Sequence, residues 1–140
     1  MASSAVMTAF ETRLAANWSH TPIVTPNTKG AVPADGSEFL LIEYPVATEE
    51  MKSVGAPGSN IYREEGGAYI VLCVPTGIGL NPAATPWASR IDTLRAAFRG
   101  KNFDGVVTFE VSPPYNDDQS DRGAYTELSF SVAYWFDITG

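Results

Sequence analysis

The greatest chemical promise in this chain lies at Gly77-Ile78-Gly79, which follows an apolar run, residues 69–74, and precedes a helical pattern. Strand, glycine loop and helix is the arrangement by which backbone N–H groups cradle a phosphate. The details do not fit that chemistry. A dinucleotide fingerprint needs a third glycine so that helix and strand can close up beside the pyrophosphate, and Pro82 stands at that position. A phosphate loop ends in Gly-Lys-Ser/Thr, and no lysine occurs between Ser53 and Gly100. Gly77 and Gly79 are therefore read as turn residues, with Pro82 and Pro86 stiffening the bend.

Other chemistry is scarce. One histidine, His20, and one cysteine, Cys73, cannot assemble a His/Cys metal set. His20 lies in a Thr/Pro-rich stretch without a nucleophile motif and is read as a surface histidine. Cys73, between Leu72 and Val74, is read as a buried thiol suited to a reducing compartment. Asn116, Asp117, Asp118 and Asp121 carry oxygens but lack the glycine and distal glutamate of a calcium loop, so a solvated acidic loop over residues 113–123 is expected.

Glu64-Glu65 adjoin Gly66-Gly67 in a polar stretch rather than a pocket that would shift their pKa values. They are expected to face solvent or to bridge to a neighbouring subunit. Arg95, Arg99 and Lys101 gather where a helix ends, and the helix dipole accounts for cations there. Nine basic against sixteen acidic residues give a formal charge of −7, the wrong sign for gripping nucleic acid through its phosphates. No catalytic residue, cofactor site or metal site follows, and no enzyme is expected.

The elements that would position any site are clearer. A length of 140 residues favours a single domain, 1–140. Met1 to Met7 show no basic segment or long apolar run, so no secretory signal is expected, and no apolar stretch approaches the ~20 residues that span a bilayer. Val6, Phe10, Leu14 and Trp18, with Met7 beside them, form one helical stripe after Ser3 or Ser4 as the cap. Residues 22–36 read as a loop. Leu40, Ile42, Tyr44 and Val46 then alternate as one face of a strand, with Pro45 marking an edge or a bulge.

Residues 48–67 read as a long polar hairpin excursion with its tip at Gly55-Ala56-Pro57-Gly58, and residues 68–74 as the sheet centre. Thr85 as N-cap, Pro86 at the first helical position, a stripe of Trp87, Ile91, Leu94 and Phe98, and Gly100 as the stop predict a second helix. Val107, Phe109 and Val111 predict a strand facing the core. Leu128, Phe130, Val132, Tyr134 and Phe136 predict another, with Trp135 on its opposite face awaiting either a helix or another chain. The expected fold class is α+β, a mostly antiparallel sheet with two main helices packed against it.

The order of these segments resembles the tail terminator-like proteins, or tail completion proteins, of long-tailed bacteriophages. The likeness is carried by "MTAFETRLAANW", "FLLIEYPVAT", "GAYIVLCVPTGIGLNPA", "RIDTLRAAFRGKNF" and "YTELSFSVAYWFD", and is most specific from Arg63 to Gly79 and in the "LRAAFRG" helix. The resemblance implies a small tail-terminator-like α+β fold without an active site. It implies a homohexameric ring that caps the tail tube, ends its polymerisation and offers the head a joining surface.

The implied partners are copies of the chain, the tail tube protein and a head-completion or neck protein, with DNA passing through the ring without specific binding. No membrane is involved, and the implied location is the virion, with assembly in the host cytoplasm. The expected subunit, tube or lumen contacts are Tyr62, Arg63, Glu64, Glu65, Asp117, Asp118 and Trp135. The alternatives are another head-tail connector or neck protein and a small-ligand binding module.

Overall fold

In the computed structural model, residues 1–26, 33, 36–117 and 125–140 are described. The chain runs through α1 (Ser4–Asn17), β1 (Ile23–Val24), β2 (Phe39–Met51), β3 (Ile61–Pro75), α2 (Trp87–Phe98), β4 (Asn102–Phe103), β5 (Val106–Val111), β6 (Tyr115–Asp117) and β7 (Tyr125–Thr139). One sheet takes the order β1-β2-β3-β7-β5-β4, with β6 also on β7. All its pairs are antiparallel except β1 with β2.

Both helices lie on one face of this sheet. The stripes of α1 (Val6, Phe10, Leu14) and α2 (Trp87, Ile91, Leu94, Phe98) meet Leu40, Ile42, Ile70, Leu72, Phe130, Val132 and Tyr134 in a single buried cluster. Phe10 stands at its middle, 5.7 Å from the Phe98 ring and 5.4 Å from that of Tyr134. Cys73 is fully buried on the other face, with Phe39, Leu41 and Val71.

Several expectations change for physical reasons. Residues 22–36, read as a loop, include β1, and the acidic stretch includes β6. The polar excursion is a regular ladder: β2 and β3 stay in register from Val46↔Gly67 to Met51↔Tyr62, and β7 continues beside β3 to Ile61↔Thr139. The result is an arm of β2, β3 and β7 that β5 still flanks as far as Val106↔Phe136, so that only its last rows, from Glu50↔Arg63 and Arg63↔Asp137 to Ile61↔Thr139, are three strands wide. The α2 helix begins at Trp87, with Pro86 rather than Thr85 at the cap, while Gly100 takes the positive φ of 60° that a C-terminal stop requires. The Ser3 hydroxyl makes no cap bond.

Two bulges reverse the expected faces. Tyr44 and Pro45 together oppose one residue of β3, so Val46 lands on the face away from the helices and is 58% exposed. Of Val107, Phe109 and Val111, all expected to face the core, Val107 pairs Trp135 and faces away from the helices with the 49% exposed Phe109, and the bulge of Phe109 and Glu110 opposite Ala133 brings only Val111 to the helix side, opposite Val132. The core positions of β5 are Val106 and the buried Thr108. The Thr108 hydroxyl donates to the carbonyl of Phe98 and accepts from the Lys101 N–H at 3.0 Å, which satisfies backbone groups at the end of α2.

Candidate assembly surface

The glycine loop is a bend. Gly77 and Gly79 have φ of 96° and 80°, a conformation that glycine adopts without strain. The Ala88 N–H, one of the first in α2, donates to the Leu80 carbonyl at 2.8 Å, so the loop itself takes up a donor that a phosphate would need. The hollow beside it, about 320 Å³, is lined by Thr76, Leu80, Asn116 and Thr126 among others, with no cation. Among the described residues no three His, Cys, Asp or Glu side chains gather as a metal set.

What remains is a surface, the sheet face turned away from the helices. On the arm it presents Arg63, Glu65, Trp135 and Asp137, because alternate residues of β3 and β7 point this way and their pairing sets Glu65↔Trp135 and Arg63↔Asp137 side by side. Arg63 grips Asp137 with Nε–Oδ1 at 2.8 Å and Nη2–Oδ2 at 3.0 Å. The same guanidinium lies 3.9 Å from the centre of the Trp135 ring. A side chain thus shields the tryptophan in part, where a helix or another chain was expected.

The bidentate hydrogen bonds from Arg63 hold the Asp137 carboxyl below its ordinary range, and Asp137 in turn raises Arg63. A depressed carboxylate contributes stability above its unfolded pKa and loses it as pH falls through the folded one. The pairing is therefore expected to persist at neutral pH and to fail only under acid below the ordinary aspartate midpoint of about 3.9. Carboxyl-carbon NMR should find the Asp137 midpoint low in the native protein and returned upward in Arg63→Gln. An unchanged midpoint in that variant would remove Arg63 as the cause.

The expected contact residues do not all share this face. Tyr62 is half-buried on the helix side, in a row with Met51 and Ile138 at the end of the arm. Asp117 shares the face of Glu65 but pairs with Glu127, eight residues along β7 from Trp135, or roughly 26 Å at strand rise. Asp118 lies outside the described residues.

Glu64 is a correction. Read as solvent-facing, it is 4% exposed on the helix side. Its Oε2 accepts the Tyr134 hydroxyl at 2.6 Å and the Ser3 N–H at 3.2 Å. It caps the start of α1 from across the sheet, where the positive end of the helix favours an anion. Burial first, and then Glu64, push the Tyr134 phenol well above its ordinary pKa, so it remains a donor. The one sequence signal was the strand alternation that sets Glu64 with Ala68 and Ile70 rather than with Glu65.

A family model described as phage tail terminator protein matches residues 5–134, from α1 to within β7. No curated protein matches the chain.

Proposed function

The chain belongs to the phage tail terminator family, and from that premise we propose that it closes the head-proximal end of a phage tail tube as a ring of identical subunits. In this reading the ring, six-membered as in the resemblance, ends tube polymerisation and gives a head-completion or neck protein its joining surface. The family is a structural one, and its members are parts of the phage tail and hence of the virion. No helix among the described residues is long and apolar enough to cross a membrane.

The observation that carries the reading is a family match over nearly the whole chain. Two features support it. A closed ring needs two different patches per subunit, and the sheet face around Arg63, Glu65, Trp135 and Asp137 is turned away from the helices, with Val46 and Phe109 exposed on it. The −7 charge also suits a conduit that DNA must pass without sticking. With Glu64 buried, the lumen-facing carboxylates of this proposal are Glu65, Asp117 and Asp118.

The test is light scattering over a wide concentration range, followed by negative-stain imaging with tail tubes of the same phage. A ring, or a monomer that forms one cap at the head-proximal tube end, is the expected result. A monomer that ignores the tubes would overturn it. For the lumen, Glu65→Lys with Asp117→Lys should leave assembly intact and slow DNA delivery. Normal delivery by normally assembled particles would show that these carboxylates face elsewhere.

A further inference from the structure

We propose that the end of the arm in one copy of this chain enters the hollow beside β5 of the next, so that each subunit gives a tip and receives one. This rests on the ring reading above and adds to it the two surfaces that meet.

The turn between β2 and β3 holds an apolar side chain out in water. Val54 is 95% exposed there, and Met51 and Ile61, the strand residues that flank the turn, are exposed as well. The backbone around them is nevertheless fixed. The Ile61 N–H donates to the Ser53 hydroxyl at 2.7 Å, and the side-chain amide of the buried Asn60 donates to the carbonyls of Gly55 and Ala56. Asn60 also exchanges both backbone hydrogen bonds with Gly140. Such a loop has already lost the freedom that docking would otherwise cost. Aliphatic carbon gathered at its end marks a contact site rather than a scatter of single exposed residues.

The hollow is the matching concavity. It measures about 500 Å³ and is walled by Phe109, Val111, Pro113 and Ala133, with Arg99 and Glu110 beside them. Charge chooses the occupant. Arg99 and Glu110 are both exposed, and neither makes an ion pair among the described residues. The arm brings both signs in return: Glu49 and Glu50 suit Arg99, and Lys52, two residues before Val54, suits Glu110. Complementary charges of this kind fix register and reject wrong partners. The Lys52–Glu50 contact at 3.1 Å is exposed and worth little, so it yields to the new pairs.

Geometry makes the contact one between copies. Along β7 the hollow lies at Ala133 and the tip at Thr139, opposite Ile61, six residues or roughly 20 Å apart on one hydrogen-bonded ladder. A copy cannot bend its arm back into its own hollow. Two tips offer each other no concavity and set Glu49 and Glu50 against their like. Tip into hollow joins unlike patches, head to tail, as ring closure demands.

The test places a benzophenone maleimide on Val54→Cys in the full chain under ring-forming conditions, with and without tail tubes of the same phage. Cys73 is fully buried and escapes labelling. Illumination should join two copies, and mass spectrometry should find the link between the tip of one and residues 99–113 of the other. Val54→Asp, folded by circular dichroism, should lose the rings. Rings whose link runs tip to tip, or to the tube protein instead, would overturn the contact and leave the ring standing, as would rings formed by Val54→Asp. Monomers of the unsubstituted chain throughout, even with tail tubes added, would overturn both.

Discussion

Glu64→Lys is expected to destabilise the protein by about 4 kcal/mol, while Glu65→Lys, one residue on, changes stability by about 0.5 kcal/mol or less. The difference lies in which face of β3 each occupies. Glu65 is exposed beside Trp135, and its replacement exchanges one solvated charge for another. Glu64 is buried, and its carboxylate is the acceptor for the Tyr134 hydroxyl and the Ser3 N–H. A lysine there offers only donors to two donors, and it buries a cation at the positive end of α1. Removing an acceptor so that buried donors lose their partner costs far more than the net worth of the bonds. Urea melts of the two variants decide the matter. If Glu64→Lys matched Glu65→Lys, the buried network would not hold the start of α1 to the sheet.

The second large effect is expected at the next pair of residues. Gly66→Ala should cost about 3 kcal/mol or more, whereas Gly67→Ala should be nearly silent. A Cβ on Gly66 would stand 2.4 Å from the Val46 carbonyl oxygen and 3.0 Å from both the Ala47 Cα and the Tyr134 hydroxyl. Two of these are backbone atoms of the bulged strand, which cannot swing aside as a side chain would. The same methyl on Gly67 meets only the Val132 carbonyl, at 3.8 Å, which is ordinary contact. The bulge at Tyr44 and Pro45 brings β2 down onto Gly66, so relieving the clash means undoing the bulge and turning Val46 back to the helix side. Thermal melts should separate the two variants clearly. Equal melting temperatures would mean that the arm strands can part at no cost.

Much of the fold was legible in the sequence because its signals are local. The stripes Val6-Phe10-Leu14 and Trp87-Ile91-Leu94-Phe98 belong to single helices, and both bury as their spacing predicts. Pro45 announced a bulge because it cannot donate to a ladder. What the bulge does was harder to read. Alternation carries through Val46, and through Val107, Phe109 and Val111, on paper; one extra residue in each strand turns Val46 away from the helices and parts Val111 from Val107 and Phe109.

The surface itself was legible only by half. Arg63, Glu65 and Trp135 do come together, yet strand alternation alone set Glu64 apart from its neighbour, and the partner that marks it as buried, Tyr134, is 70 residues distant. Thr108 was hidden in the same way, a polar residue buried because the end of a helix needed its hydroxyl.

The position of β7 carries a kinetic consequence. It is the last strand in chain order and lies inside the sheet, between β3 on one side and β5 and β6 on the other. At synthesis rates of about 5–20 residues per second, β3 leaves the ribosome several seconds before the strand that must fill the gap beside it. Throughout that interval β3 holds an unsatisfied edge, joined by β5 once it is made, and pairs as distant as Ile61 with Thr139 close only afterwards. Production yield should therefore depend steeply on temperature and expression rate, and chaperones that shield open strands should raise it.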